Sequence, residues 1–344
     1  MAPLIAIDGR DAFAPRPRGW GRYARCLIDA LRSGAADGLE LEVLTGGGPG
    51  PELVFEQLGL PRLLRRRRAA AVHVTNCFLP LRRPCPGVVT IHDLAFEAWP
   101  DDFSRATGMK YRLIAPRAAR SAEIVICPSE FTRDDVWERY GVDPRKVRVI
   151  PEAPALPLAA PGAPSLLGGS TPYLVAVGDL RRKKNLAALV RAYAELRRER
   201  AIEHRLVLAG VDAGEGPRLR TLAGDAPLEL TGYVSDETLD ALIREADLLV
   251  HPSLYEGFGL VILEAMARGT PVLAARAGAL PETGGGAAAY FAPGDPEALR
   301  AALGELLGDP TKRRRMSASG LQWATRFSWE RTARETAAVY REVV

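Results

Sequence analysis

The chain has 344 residues, enough for about two domains that each bury a core. Hydrophobic residues make up 47% and charged residues 26%, the balance of an ordinary soluble globular protein, and the formal charge of +4 conceals arginine-rich runs at Arg65–Arg68 and Arg181–Lys184. No run of about 18 apolar residues exists to span a membrane, and MAPLIAIDGR begins directly with a strand pattern, without the layout of a signal peptide.

Cys26, Cys77, Cys85 and Cys127 contain no C-x-x-C pair, and His73, His92, His204 and His251 show no zinc-ligand spacing. Reduced thiols in a cytosolic protein are therefore expected. In the N-terminal half, short apolar runs predict strands at Leu4–Ile7, Leu41–Leu44, Val72–Val74, Val88–Ile91, Ile124–Ile126 and Val147–Ile150. Helical patterns fall at Gly21–Leu31, Phe103–Ala119 and Glu130–Tyr140. Strands alternating with helices point to parallel βαβ units, whose ligands bind beyond the strand C-termini.

One such loop, Asp8–Arg22, carries Gly9, Gly19 and Gly21. Its G-W-G-R-Y reads either as a turn that lets backbone approach an anion or as a flexible connection. Leu60–Arg68, LPRLLRRRR, reads either as a basic amphipathic helix against anionic lipid or as a solvated surface helix. His92 follows a buried-strand pattern, where an imidazole can donate to a sugar hydroxyl or a leaving phosphate.

Six prolines between Pro151 and Pro172 rule out a helix there and mark an interdomain linker. A second βα series follows, with strands at Tyr173–Val177, Leu206–Ala209, Leu228–Thr231, Leu248–Val250, Pro271–Ala274 and Ala289–Phe291. The loop Gly178–Asn185 holds four cations, then a helix carries Leu186, Leu189, Val190, Tyr193 and Leu196 on one face. Asp309 and Ser328 are expected helix caps, the latter for a last helix reaching Val344.

The densest signal is His251–Glu264, HPSLYEGFGLVILE. A hydrophobic strand enters a loop with Gly257 and Gly259, and the loop opens a helix. Glycines there let amides approach an anion, and the helix start adds about half a positive charge. Glu256 and Glu264 flank that anion site, and at ~100° per residue eight positions bring Glu264 near the face on which the helix began. Both acids are then placed to accept bidentate hydrogen bonds from sugar hydroxyls.

With these residues together, the chain closely resembles the retaining glycosyltransferases of family 4, which have the GT-B fold. The strongest match is EGFGLVILEAMARGTPV, with Glu256 and Glu264 separated by seven residues. GWGRY at Gly19–Tyr23, HDL at His92–Leu94, SEFTRDDV at Ser129–Val136 and FSWERTA near the C-terminus match in order, so the resemblance covers almost the whole chain.

The resemblance implies an α/β protein with two Rossmann-like, doubly wound parallel-sheet domains facing each other across a cleft. Residues 1–155 would bind the acceptor, 156–171 would link, 172–328 would bind the nucleotide sugar, and the helix at about 329–344 would pack back on the first domain. Carried over by position, Glu256 would hold donor-sugar hydroxyls and Glu264 the ribose, with Gly257, Phe258, Gly259 and Leu260 on sugar and phosphate. Lys184 would contact the diphosphate, His92 would lie beside the transferring sugar, and Gly232, Tyr233 and Val234 would back the base. Gly178 and the Gly19, Trp20, Gly21 turn complete the donor set. Many members carry Arg where this chain has Asp179, so a second phosphate ligand is sought among Arg181, Arg182 and Lys183.

The implied reaction moves a hexose with retained α configuration from a nucleoside diphosphate sugar to an acceptor hydroxyl, with His92 and Glu256 at the chemistry. GDP-mannose is the first donor expected, followed by UDP-glucose or a dTDP-deoxysugar. A saccharide or lipid-linked acceptor is expected, as in polysaccharide biosynthesis. The basic loop would neutralise the diphosphate, so no cofactor and no metal is expected. The acceptor proton would leave to the departing phosphate, and domain closure would exclude water. No nucleic-acid partner is expected. The location expected is cytoplasmic, with peripheral membrane contact through Arg65, Arg66, Arg67 and Arg68 left open. Two other classes compete: a sugar phosphorylase or epimerase of similar architecture, and a catalytically silent sugar-nucleotide binder, which would give no donor hydrolysis.

Overall fold

The computed structural model describes residues 2–14, 19–46, 51–157 and 171–344. Most of the proline-rich linker and part of the loop before Gly19 lie outside the described residues. Two compact units are present: Met1–Ala155 together with Phe327–Val344, and Leu156–Arg326.

The first unit is built on β1 (Leu4–Asp8), β2 (Glu40–Leu44), β3 (Ala71–Val74), β4 (Gly87–Thr90), β5 (Ile124–Cys127) and β6 (Val147–Val149). They form one parallel sheet in the order β2-β1-β3-β4-β5-β6. Alternate residues serve opposite faces, the period-2 consequence of the pleat. Ala6, Val72, Val74, Val89 and Val125 join a core with Leu64, Phe96, Ile114 and Val136. Ile5, Ile7, Ala71, Val88 and Ile124 join another with Tyr23, Leu27, Ile28 and Tyr340. Both faces are covered, as a parallel sheet requires.

Two helix boundaries differ from expectation for local reasons. The helix expected from Phe103 runs Arg105–Ser121, because the Ser104 hydroxyl accepts the Thr107 amide at 3.2 Å and starts it there. The basic segment expected from Leu60 is the end of a longer helical run opened at Glu52, with a π-type stretch at Phe55–Gly59. Leu60, Pro61 and Leu64 face the core and the run stops at Arg68 in the left-handed region, φ 55°.

The last helix, Trp329–Val343, belongs to the first unit and is fixed by specific polar contacts. Ser328 caps it through the Arg331 amide at 3.2 Å. The Trp329 indole donates to the Pro154 carbonyl at 2.8 Å, and the Thr332 hydroxyl to Pro151 at 2.7 Å. Tyr340, fully buried, pairs with His73 Nδ1 at 2.6 Å while Nε2 of the same ring meets Thr90 at 2.8 Å. Burial drives the His73 pKa down to about 3, so this ring is neutral and needs both partners.

The second unit repeats the plan with β7 (Tyr173–Val177), β8 (Arg205–Ala209), β9 (Leu228–Gly232), β10 (Leu248–His251), β11 (Val272–Ala275) and β12 (Ala289–Phe291). Their order is β12-β11-β10-β7-β8-β9, again all parallel. From β7 the chain winds outward to β9, then returns to lay β10 on the other side of β7. The switch point therefore falls between the C-terminal ends of β7 and β10, where open α/β sheets bind ligands. The face expected on helix Leu186–Arg198 is the buried one, with Leu189, Val190 and Tyr193 fully covered.

The loops after β7 and β8 approach so closely that a Cβ on Gly210 would lie 2.0 Å from the Gly178 carbonyl oxygen. Backbone cannot yield as a flexible side chain does. Gly210→Ala should therefore destabilise the unit by about 3 kcal/mol or more, measured by urea unfolding. A loss below about 0.5 kcal/mol, within the range of ordinary surface changes, would show that the approach is looser than described.

Candidate active site

The switch point of the second unit gathers the strongest group of expected residues. After β7, Gly178 adopts φ 134°, and the Lys184 side chain folds across it: a Cβ at 178 would sit 3.1 Å from Lys184 Cε. Arg182–Lys184 makes a single 3-10 turn, and Asn185 enters the next helix in the left-handed region. After β10, the segment His251–Gly259 runs against that loop, with the Leu254 amide on the Lys183 carbonyl at 2.8 Å.

Glu256 is the centre of the arrangement. Its Oε1 accepts Lys184 Nζ at 2.5 Å and the Ser253 hydroxyl at 2.6 Å, and its Oε2 lies 3.8 Å from Lys183 Nζ. His251 Nε2 stands 3.4 Å from Oε1. Burial pushes the Glu256 carboxyl up, but Lys183 and Lys184 together override it and hold the group well below the usual carboxylate range. Burial depresses His251, which is neutral near pH 7. A carboxylate flanked by two lysines at a sheet's switch point can hold hydroxyls of a ligand whose phosphates take over the lysines.

The glycine loop is shaped as the sequence suggests. Gly259 has φ 92°, and a Cβ there would meet Leu280 at 2.6 Å. Helix Leu260–Met266 follows directly. The Thr283 hydroxyl donates to the Phe258 carbonyl and the Ala279 amide to the Glu256 carbonyl at 2.9 Å, so the segment after β11 pins this loop from behind. Gly278, absent from the expected set, is part of that support. A Cβ on it would lie 2.6 Å from the Glu256 carbonyl oxygen, and its φ is 54°. A glycine and a threonine more than twenty residues downstream carry no periodic signal that pairs them with Glu256.

Glu264 enters a different network from Glu256. Its Oε1 accepts the Leu156 amide at 2.7 Å and its Oε2 accepts Arg268 Nη1 at 2.9 Å. Arg268 in turn bonds Asp240 at 2.8 Å and the carbonyls of Leu156 and Pro157 at 2.9 and 3.1 Å. The acid expected to read the ribose thus holds the chain where it enters the second unit. An i, i+4 Glu–Arg pair is visible in the sequence; its grip on residue 156 is not.

Among the basic residues, Arg181 faces Asp179 at 3.6 Å, so this acid is paired with a cation of its own loop. Arg182 reaches Glu215 at 3.7 Å, and Arg181 and Arg182 line a separate recess with Asn185, Glu215 and Arg218. Lys183 lies beside Glu256, its Nζ 3.8 Å from Oε2. Gly232, with φ 67°, ends β9, its carbonyl accepting the Gly210 amide at 3.0 Å; Tyr233 beyond it is exposed.

The remaining expected residues lie in the first unit. Gly19, Trp20 and Gly21 open helix Gly19–Ala30, with Gly21 buried and Trp20 exposed. His92 follows β4, and its ring nitrogens are turned inward: Nδ1 meets Glu152 at 2.8 Å and Nε2 the Thr75 carbonyl at 3.0 Å. The donation to a substrate expected from its position is therefore already directed to the protein. Arg65, Arg66, Arg67 and Arg68 are exposed, and Arg67 pairs with Glu42 at 3.1 Å. Among the described residues no helix is long and apolar enough to cross a membrane.

Two parallel doubly wound units make up the α/β architecture of the GT-B class, and a lysine–glutamate pair sits at the switch point of the second. The model for glycosyl transferases group 1 matches residues 163–323, and that for glycosyltransferase family 4 matches residues 39–153. An O-antigen chain mannosyltransferase B of Escherichia coli is 30% identical over 304 residues, covering 81% of this chain and 78% of that protein. An MMP alpha-(1->4)-mannosyltransferase of Mycolicibacterium hassiacum is 35% identical over 66% of this chain, which spans 56% of that protein. The chain belongs to glycosyltransferase family 4, and it is a hexosyltransferase with mannosyltransferase relatives.

Solved structures agree on the fold. A sucrose-phosphate synthase from Thermosynechococcus elongatus superposes with a TM-score of 0.77 at 24% identity, covering 99% of both chains. HepE of Anabaena, solved with UDP-glucose, gives 0.73 at 21% identity over the full length of each.

Proposed function

We propose that this chain moves mannose from GDP-mannose to a hydroxyl of a saccharide or lipid-linked acceptor, with retention at the anomeric carbon and without a metal. The observation that carries the reading is the Lys184–Glu256 contact, with Lys183 alongside, at the β7/β10 switch point. In this reading Lys184 and Lys183 meet the diphosphate, and the amides of Gly257–Leu260 meet sugar and phosphate. Glu256, released from Lys184, holds the hexose hydroxyls. Glu264 accepts the ribose hydroxyls.

Departure of the diphosphate builds negative charge on its outer phosphate, which the lysines and the start of helix Leu260–Met266 stabilise. Such preorganised donors are worth about 3–4 kcal/mol each. That supply of positive charge is the basis for the metal-free proposal. The acceptor proton passes to the departing phosphate oxygen on the same face of the sugar.

The mannose preference draws on the names of the relatives, which speak of mannosyl transfer by those proteins. UDP-glucose is the second reading, favoured by the UDP-glucose complex of HepE. A thermal-shift panel of nucleotide sugars, followed by NMR of the product anomer, tests both. A GDP preference and an α product are expected. A flat response to every nucleoside diphosphate would remove the donor site, and donor turnover without any acceptor separates a transferase from a silent binder.

The exposed Arg65–Arg68 run is proposed as a contact for anionic lipid at the inner face of the membrane. Charge reversal at Arg65 and Arg66 should then reduce sedimentation with phosphatidylserine vesicles by several-fold and leave neutral vesicles unaffected. Equal sedimentation of both proteins would retire that contact.

A further inference from the structure

His92 is held by two groups that only accept hydrogen bonds. On Nδ1 lies Glu152 Oε1, 2.8 Å away, and on Nε2 the Thr75 carbonyl oxygen, 3.0 Å away. A backbone carbonyl never donates, and an ionised carboxylate has no proton to give. A neutral imidazole, in either tautomer, would point a lone pair at one of these oxygens. Only the imidazolium, with an N–H on each side, satisfies both.

The surroundings tighten the geometry. Tyr23, from helix Gly19–Ala30, presses edge-on against the ring with centroids 4.6 Å apart, and Trp329 lies against Tyr23 at 5.8 Å. Glu152 is buried and follows β6 directly, in a segment whose Pro151 and Pro154 carbonyls are anchored by Thr332 and Trp329. The other titratable groups near the ring are Asp93 in its own loop and His73 on β3, the latter held neutral by burial. Burial of the His92 ring works against charge, yet Glu152 outweighs it and the pKa ends above the ordinary histidine value.

We infer that Glu152 is the positioning residue that keeps His92 doubly protonated, so that His92 serves the transfer as a fixed cation and not as an acid or base. The inference rests on the transferase reading for its effect on the reaction, and on the first unit's geometry alone for the state of the ring. A ring that keeps its proton through the transfer cannot take the acceptor's proton, which agrees with the proposed passage of that proton to the departing phosphate. Its charge, at the C-terminal edge of β4, contributes a constant positive potential.

The test is a titration of the histidine rings in the 15N-labelled full chain by long-range 1H–15N spectra from pH 5.5 to 9, with His92 assigned from the His92→Gln spectrum. In the unmodified protein the His92 midpoint should lie above the free value of about 6.5. In Glu152→Gln it should fall by at least one unit, a tenfold change in the protonation equilibrium. Glu152→Asp, which keeps the charge, should retain most of the elevation and serves if the glutamine variant does not fold. Transfer by Glu152→Gln should stay within about threefold of the parent at pH 6 and drop at least tenfold at pH 8, where the ring has lost its proton.

A His92 midpoint at or below 6.5 in the parent, or one unmoved in folded Glu152→Gln, overturns the inference. A midpoint that falls as expected with no pH-dependent loss of transfer also overturns it, by removing the ring charge from the reaction. Neither result touches donor binding at Lys184 and Glu256, which the nucleotide panel reports separately.

Discussion

Glu256→Gln should reduce the rate of transfer by a factor on the order of 10³ while leaving the folded protein able to bind nucleoside diphosphate, because one preorganised contact to the reacting sugar is commonly worth that much. The substitution keeps shape and removes charge. That charge balances Lys184 at 2.5 Å and Lys183 at 3.8 Å, both largely buried. Removing one member of a buried pair costs about 3–5 kcal/mol, since the remaining charges lose their compensation. The variant should therefore melt lower than the parent in the absence of ligand. It should also gain more than the parent from a bound nucleoside diphosphate, whose phosphates then meet lysines that no carboxylate holds back.

The pH dependence has a definite sign. The folded-state pKa of Glu256 is depressed, so its contribution to stability is present above the unfolded value of about 4.3 and is lost as pH falls through the folded value. The stability gap between parent and variant should be flat from pH 8 to pH 5 and narrow only under more acidic conditions. An unchanged melting temperature combined with unchanged transfer would remove Glu256 from the site altogether.

Lys184→Ala should be the next largest loss. Its stem lies over Gly178 and its ammonium meets Glu256, so the protein's own contacts hold the side chain. Loss of one such cation from a phosphate site is expected to lower kcat/KM by roughly 10²–10³-fold. Lys184→Arg should not restore the parent rate, because a planar guanidinium cannot occupy the space above Gly178 that the slender methylene stem fills. Lys183→Ala, by contrast, should act mainly on donor affinity. Combining Lys184→Ala with Glu256→Gln should give much less than the sum of the two losses, the mark of residues that act as a unit. Additive losses would mean that the pair seen here has no bearing on the reaction.

The strands and the paired glutamate motif were legible because their signals are local and periodic. Tyr173–Val177 and Ala289–Phe291 appear with the boundaries their apolar runs predict, and Leu189, Val190 and Tyr193 are buried on the face their spacing predicts. The cationic loop and the glycine turn come together because parallel winding puts both at strand C-termini on either side of one switch point. What escaped the sequence is where side chains end up when several acceptors compete for one donor. Glu264 goes to Leu156 and Arg268, Asp179 to Arg181, and the nitrogens of His92 to Glu152 and Thr75. Apart from the i, i+4 step from Glu264 to Arg268 and the near neighbours Asp179 and Arg181, none of these pairings follows a helix or strand period, and the last joins residues 60 and 17 positions apart.

The chain crosses between its two units twice, after Ala155 and after Arg326, so the second unit is one uninterrupted segment and the first is not. On a ribosome the order of completion is consequently reversed. Residues 156–326 have everything they need once they emerge, whereas the earlier-made unit waits with open sockets for Trp329, Thr332 and Tyr340. Until those residues arrive, the buried face that includes His73, Tyr23 and Ile28 remains without its cover. The N-terminal half is thus the later of the two to mature, and it is the one exposed to chaperones and proteases for longest during synthesis.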